Sequence, residues 1–138
     1  MINVGDKLPE ATLSLLTYEG MESPTTADLF ANKTVVLFAL PGAFTPTCSE
    51  SHLPGYVVLA DQLKAKGVDS IICLSVNDAF VMQAWGEMQN ANELIMLADG
   101  DGSFTRALGL GYETGSFGGY RSSRYAMIVK DGVVTQLN

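Results

Sequence analysis

One short stretch holds the residues best suited to chemistry: a cysteine preceded by two threonines and two prolines. It reads PGAFTPTCS and follows a continuous apolar segment. Thr45 is a good helix N-cap and Pro46 suits the first helical position, so Cys48 is predicted to lie in the first turn of a helix. Unpaired backbone N–H groups and the positive end of the helix dipole meet there. The pattern therefore favours a thiolate at Cys48.

The helix terminus alone cannot make Cys48 a strong nucleophile. A free cysteine has a pKa near 8.5, and lowering it to about 6 needs roughly 3.4 kcal/mol, whereas a helix terminus supplies about 0.3 to 2 kcal/mol. The rest must come from a nearby cation, for which the single histidine, His52, is a poor candidate beside an arginine. Full ionisation of the thiol would raise its reaction rate only about 30-fold. Most of the rate enhancement must therefore come from hydrogen-bond donors aligned on the substrate. Thr45 and an arginine suit that role.

The surrounding elements follow a strand–helix–strand–helix rhythm. Apolar runs predict strands at residues 12–17, 34–40, 70–76, 95–98, 125–130 and 133–137, the last two forming a hairpin. Apolar residues spaced three to four positions apart predict three helices. The first spans residues 53–63 and is kinked at Pro54. The second spans 81–88 after a cap at Asn77 or Asp78, and the third spans 104–108 after a cap at Ser103. The glycine-rich run 109–119 is predicted to be a loop.

These elements predict an α/β fold with a mixed central sheet flanked by helices, parallel in the middle and closed by an antiparallel hairpin. Strand 34–40 is apolar throughout, as expected of a strand buried on both faces. The cysteine stretch joins its carboxyl end to a helix, where open α/β sheets place their ligands.

Composition narrows the function further. The chain has 138 residues, a formal net charge of −7 and a pI near 4.4, which opposes binding to nucleic acid or to anionic membranes. Its length suits one domain over residues 1–138. Because the chain stops at Asn138, in or just after the last strand, a further C-terminal segment is expected. Two cysteines and one histidine exclude a disulfide scaffold and a closed zinc site.

The sequence also predicts a location. Residues 1–6 lack the basic and apolar pattern of a signal peptide, and the longest apolar run, residues 35–44, is far shorter than the ~20 residues that span a membrane. We therefore expect a cytoplasmic protein without a membrane partner.

Pro41, Thr45 and Cys48 match the Pro-x-x-x-Thr-x-x-Cys motif of peroxiredoxins, and the longer string resembles the atypical peroxiredoxin-5 or plant type II branch. The similarity extends over nearly the whole chain, through His52–Gly55, Cys73–Asp78, Trp85-Gly86, Leu97–Asp99 and Arg124–Met127. The resemblance implies a thioredoxin-like fold and a thiol peroxidase that needs neither a metal nor an organic cofactor.

The resemblance also implies a role for each site residue. Cys48 would be the peroxidatic cysteine, whose thiolate attacks a peroxide and becomes a sulfenic acid. Thr45 and Arg124, the matching arginine, would orient and polarise the O–O bond. Backbone N–H groups of Thr47 and Cys48 would stabilise the departing oxygen, and Pro41 would wall the pocket. Arg121 is expected to be a surface or supporting residue.

The resemblance implies partners as well. Similar proteins that use an internal resolving cysteine carry it further toward the C-terminus, so Cys73 is expected to be structural. An external thiol, either glutathione with glutaredoxin or thioredoxin, would then reduce the sulfenic acid. Similar peroxiredoxins form a dimer beside the active site, and we expect a homodimer to which Phe44, Phe80 and Trp85 contribute.

Three other functions are compatible with a single reactive cysteine. A dithiol oxidoreductase needs a second cysteine three positions away, where the chain has Thr45 and Ser51. A papain-like hydrolase needs a distant histidine, whereas His52 lies only four positions on. A redox sensor, in which oxidation of Cys48 alters an interface without turnover, stays open.

Overall fold

The computed structural model describes the backbone of all 138 residues and every side chain except those of Cys48 and Glu50. The strands are β1 (Leu15–Thr17), β2 (Gly20–Glu22), β3 (Thr34–Ala39), β4 (Ser70–Ser75), β5 (Ile95–Ala98), β6 (Gly111–Glu113), β7 (Tyr120–Ser122), β8 (Tyr125–Lys130) and β9 (Val133–Leu137). The α-helices are α1 (Thr26–Phe30), α2 (Leu53–Ala65), α3 (Ala79–Met88) and α4 (Ser103–Leu108).

A mixed five-stranded sheet forms the centre, in the order β5-β4-β3-β8-β9. β3, β4 and β5 are parallel, whereas β8 runs antiparallel to β3 and pairs with β9. The β8–β9 turn has positive φ values at Asp131 (48°) and Gly132 (77°), as an Asp-Gly hairpin turn requires. The predicted α/β fold and mixed sheet are confirmed.

Alternating side chains of β3 serve two cores, because successive residues of a strand point to opposite faces. Leu37 packs in a cluster with residues of α1 and α4, and Phe38 packs in a second cluster with residues of α2 and α3. Leu37 and Phe38 are fully buried. Helices therefore cover both faces of the sheet, and α2 and α3 lie on the same face.

Several elements differ from the prediction. β1 is shorter than the predicted strand 12–17 and pairs with β2, and α1, with its Thr25–Asp28 capping box, was not predicted. The apolar stripe predicted for α3 included Trp85 and Met88. Trp85 is buried as predicted, whereas Met88 is 70% exposed and Met82 is buried in its place. Run 109–119 includes β6, which forms a small hairpin with β7.

The predicted cap of α4 was also wrong. Gly102, in the left-handed region at φ 75°, occupies the N-cap, and the buried carboxylate of Asp99 accepts the N–H groups of Phe104 (3.2 Å) and Thr105 (2.7 Å) and the Thr105 hydroxyl (2.7 Å). A buried carboxylate thus replaces the exposed serine as the cap. The segment Asp99–Gly102 fixes the start of α4.

Replacing Asp99 with alanine is expected to lower the free energy of unfolding by about 3 kcal/mol, because three buried donors lose their acceptor. Urea denaturation measures this. Asp101→Ala is the matched control, since the Asp101 carboxylate accepts the Ser103 N–H at 2.9 Å but is exposed, and its expected effect is about 0.5 kcal/mol. Equal losses in the two variants would contradict the assignment of Asp99 as the main cap.

No helix within the described chain combines the length and apolarity needed to cross a membrane.

Candidate active site

The loop after β3 carries the predicted site residues. Leu40 continues the sheet by donating its N–H to the Leu74 carbonyl (3.3 Å). Beyond it, Asn77 holds the loop from the end of the neighbouring strand, because its Oδ1 accepts the Ala43 N–H (3.0 Å) and the Ser75 hydroxyl (2.6 Å). Asp78, not Asn77, caps α3. Asn77 therefore ties the loop to β4, a contact over 34 positions that no local pattern indicates.

The loop contains a residue in a strained conformation. Phe44 has a φ of 63°, which is uncommon for a bulky side chain, and its ring lies 6.4 Å from that of Trp85 between centroids. Strain of this kind concentrates at functional sites, where surrounding contacts hold it in place. The chain turns at Ala43 and Phe44 and enters the helix at Pro46.

The helix begins at Pro46, as the sequence predicts. The Thr45 carbonyl accepts the Ser49 N–H at 2.9 Å, and the segment Cys48–His52 forms one turn of π-helix directly before α2. Pro54 explains the interruption, since it has no N–H to donate to the carbonyl four residues earlier. A wide turn of this type is frequent at functional sites. The backbone of Cys48 thus lies near the start of the helix, and its thiol is outside the described side chains.

Thr45 directs its hydroxyl back toward the loop. Oγ1 donates to the Gly42 carbonyl at 2.7 Å, and the side chain is half-buried. A threonine hydroxyl has one proton and two lone pairs. With the proton held by Gly42, the lone pairs can accept a hydrogen bond from a ligand.

Arg124 precedes β8 and reaches the turn that carries Cys48. Its Nη1 lies 2.6 Å from Nδ1 of His52, in the same π-helical turn. A guanidinium can only donate, so Nδ1 accepts and the neutral imidazole carries its proton on Nε2. The histidine ring is held by Phe38 (edge contact, 5.2 Å between centroids) and Tyr56 (5.7 Å). The buried strand β3 thereby positions the arginine through the histidine.

Burial lowers the pKa of His52 below its ordinary value of 6.5, and the positive charge of Arg124 lowers it further. His52 is consequently neutral near pH 7, which agrees with its rejection as the cation of the site. Protonation would place a proton on the nitrogen that accepts from Arg124 and would break that bond.

Stability is expected to fall as the pH drops below 6.5. Because the folded-state pKa of His52 is lowered, the unfolded chain binds more protons between the two pKa values, so stability is fully present above 6.5 and is lost through the folded pKa. Urea denaturation between about pH 7 and pH 5 measures the slope. Asp28 and Asp101 have pKa values lowered below 3.8 and stay ionised in this range.

His52→Asn is the matched variant for this slope, since the amide oxygen can still accept from Arg124 but does not titrate. We expect its stability to depend less on pH over the same range. An unchanged slope in the variant would show that another group is responsible.

A groove of about 450 Å³ runs beside the π-helical turn. Its lining residues are Thr47, Ser51, His52, Gly55, Tyr56, Leu59 and Arg124. Two of the predicted site residues, Thr47 and Arg124, therefore face the same space, and Arg124 is exposed there.

Pro41 and Thr45 belong to the loop that precedes the helix start and are not among the residues that line this groove. Pro41 is half-buried, and its carbonyl accepts Nη1 of Arg121 at 3.3 Å. Arg121, expected to be a supporting residue, thus contacts the motif directly. This contact joins residues 80 positions apart, so no spacing pattern indicates it.

Trp85 supports the helix start from α3. It is fully buried, and its Nε1 donates to the Ser49 hydroxyl at 3.0 Å. The expectation that Trp85 contributes to a dimer surface is therefore wrong, because its indole faces the interior. Phe44 and Phe80 are 49% and 65% exposed.

The described side chains include no group of three or more histidine, cysteine or acidic residues arranged to hold a metal ion. The polar groups that the site brings together are a helix start, the Thr45 hydroxyl and the Arg124 guanidinium. These groups suit nucleophilic chemistry in which charge develops on an oxygen.

Comparison with known proteins shows the family to which the chain belongs. The Redoxin family model matches residues 3–138. The chain is 46% identical to Peroxiredoxin-2B of Arabidopsis thaliana, over 99% of this chain and 86% of that protein. It is 50% identical to the chloroplastic Peroxiredoxin-2E of the same plant, again over 99% of this chain, but spans 61% of that relative's length. It likewise spans 64%, 62% and 56% of three other relatives.

Solved structures of peroxiredoxins have the same fold as this chain. The crystal structure of reduced Prx3 in complex with H2O2 from Vibrio vulnificus superimposes with a TM-score of 0.98 at 70% identity, over 100% of this chain and 87% of that one. Peroxiredoxin 5 from Alvinella pompejana gives a TM-score of 0.89 at 36% identity, over 100% and 89%.

Proposed function

Because the chain belongs to the Redoxin family and, within it, to the peroxiredoxins of the type II and peroxiredoxin-5 kind, we propose that it is a thiol peroxidase reducing hydrogen peroxide and alkyl hydroperoxides. In its thioredoxin-like fold the segment from Pro41 to Cys48 connects the carboxyl end of β3 to the helical turn before α2, which supports the proposal. One observation carries the proposal: His52 holds the Arg124 guanidinium, at 2.6 Å, against the helical turn that contains Cys48. The H2O2 named with the Vibrio vulnificus structure supports the choice of substrate.

The first chemical step is attack by the Cys48 thiolate on one peroxide oxygen. The S–O bond forms as the O–O bond breaks, so the sulfur is oxidised to a sulfenic acid and the other oxygen leaves, after taking a proton, as water or an alcohol. Arg124 and the backbone N–H groups of Thr47 and Cys48 stabilise the charge on that oxygen. The Thr45 lone pairs accept the peroxide O–H, and Pro41 walls the site.

An external thiol completes the cycle. Its sulfur attacks the sulfenic sulfur and releases water, and a second thiol then reduces the mixed disulfide, which restores the Cys48 thiolate. Glutathione with glutaredoxin, or thioredoxin, fits this role. Cys73 is fully buried in β4, which supports an external over an internal reductant. Such a protein serves antioxidant defence and cell redox homeostasis, and we propose that it acts in the cytoplasm.

The active form is proposed to be a homodimer. Phe44 and Phe80 are large exposed apolar side chains beside the site loop and at the start of α3, and such side chains favour contact with a second copy. Neither nucleic acid nor a membrane is proposed as a partner, because the net charge is −7.

Stopped-flow oxidation and multiple turnover test the function together. The purified protein should react with hydrogen peroxide far faster than free cysteine does, with one peroxide per chain in a single turnover because Cys73 is buried. Consumption should continue when glutathione with glutaredoxin, or thioredoxin with its reductase, is supplied. Oxidation no faster than that of free cysteine would overturn the proposal. Fast oxidation without turnover by any thiol would indicate a redox sensor instead.

A further inference from the structure

Arg121 connects the β6–β7 hairpin to the loop that carries the motif. Its Nε donates to the Gly118 carbonyl at 2.9 Å, and its Nη1 donates to the Pro41 carbonyl at 3.3 Å. The side chain is half-buried. One guanidinium therefore holds two carbonyls from separate parts of the chain, which its planar fork of donors can do and a lysine ammonium cannot do in the same geometry.

Two glycines leave the space in which this guanidinium lies. A Cβ at Gly42 would lie 2.8 Å from Nη1, and a Cβ at Gly118 would lie 2.6 Å from Nη2. Neither glycine has a φ in the left-handed region, so backbone conformation does not require glycine at these positions. A Cβ at either position would instead displace the Arg121 guanidinium from its present place.

The preceding residue fixes the hairpin on its other side. The Tyr120 ring lies under the guanidinium of Arg106, with Cζ 3.8 Å from the ring centroid, and a Cβ at Gly111 would collide with that ring. Successive strand residues point in opposite directions. β7 is thus anchored to α4 through Tyr120 and to the motif loop through Arg121, which makes it a rigid support for that loop.

The contact continues to the residue that would face the peroxide. Arg121 fixes the Pro41 carbonyl, and the next carbonyl along the chain, that of Gly42, accepts the Thr45 hydroxyl at 2.7 Å. A rotation of the Gly42 peptide would release the Thr45 proton and turn its lone pairs away. We propose that Arg121 is a positioning residue of the peroxide site, which keeps the Thr45 lone pairs directed at the substrate; this inference rests on the proposed function.

The test compares two reactions of Cys48 in Arg121→Ala. Reaction with hydrogen peroxide needs the aligned Thr45, whereas alkylation by iodoacetamide needs only an accessible thiolate, and buried Cys73 does not contribute to either. We expect the peroxide rate constant to fall by at least about tenfold and the alkylation rate to stay within about twofold of wild type. Arg121→Lys should behave like Arg121→Ala, because a lysine restores the charge but not the double contact.

Gly42→Ala tests the same contact from the loop side. If Arg121→Ala fails to fold, the peroxide and alkylation rates are compared in Gly42→Ala instead. Its Cβ displaces the guanidinium, so it should also slow peroxide reduction selectively, and the double variant should be no slower than the slower single variant. Lys130→Ala, which removes one positive charge at the other end of β8, is the control and should match wild type.

Distinct results would overturn the inference. Equal losses of both rates, or full rescue by Arg121→Lys, would show that the arginine acts through its charge on the thiolate. Wild-type peroxide rates in both Arg121→Ala and Gly42→Ala would exclude any role. A wild-type protein that does not react with peroxide would overturn the proposed function itself, and the inference with it.

Discussion

Cys48→Ser is expected to abolish peroxide consumption, with a loss of at least about a thousandfold in turnover with any thiol reductant. A serine hydroxyl stays protonated at neutral pH even at a helix start, since the dipole supplies only about 0.3 to 2 kcal/mol, and it cannot form the sulfenic acid through which the cycle passes. The substitution changes one atom near the start of the helix. Multiple-turnover peroxide consumption with each reductant measures the effect.

Cys73→Ala is the matched control for this prediction. Cys73 lies in β4 and is fully buried, so its replacement removes one buried sulfur from the core. We expect wild-type peroxide rates and a free energy of unfolding lower by about 1 to 2 kcal/mol. Retained turnover in Cys48→Ser, or lost turnover in Cys73→Ala, would contradict the assignment of Cys48 as the reacting cysteine.

Local patterns predict the central elements because those elements depend on local chemistry. The continuous apolar run of β3, the Asp131-Gly132 turn and the spacing along α2 each indicate one structure, and all three were confirmed. α1 was missed because it has only five residues, and its capping box lies in a polar segment. In α3 the predicted stripe included Met88, whereas packing against β5 buries Met82.

The site shows the same division between local and distant contacts. The helix start at Pro46 follows from the cap and proline chemistry, whereas Arg124 was assigned only through the family motif. Asn77 and Arg121 reach the loop from 34 and 80 positions away. Such contacts depend on how the strands are ordered, and the spacing of residues in one sequence carries no information about them.

His52 illustrates how packing changes a residue's role. As a sequence feature it is a weak cation four positions after Cys48. In the fold, Phe38 and Tyr56 half-bury its ring and lower its pKa through desolvation. The neutral ring then serves as a hydrogen-bond acceptor that directs a stronger cation, Arg124.

Thr45→Val is expected to reduce the rate constant for peroxide by about a hundredfold, the second largest loss we predict. Valine keeps the shape of threonine but has no oxygen to accept the peroxide O–H, and it leaves the Gly42 carbonyl without its 2.7 Å donor. Stopped-flow kinetics with hydrogen peroxide measures the loss.

Thr45→Ser separates these effects from changes in packing. Serine retains the oxygen, the proton and the bond to Gly42 and loses only a methyl group, so its rate constant should stay within about fivefold of wild type. If serine were as slow as valine, the methyl group and not the hydroxyl would matter. Since the Thr45 proton is held by the Gly42 carbonyl, the hydroxyl acts on the peroxide as an acceptor. In Thr45→Val the rate constant should therefore fall more for peroxides with an O–H group than for dialkyl peroxides, which have no such group to donate.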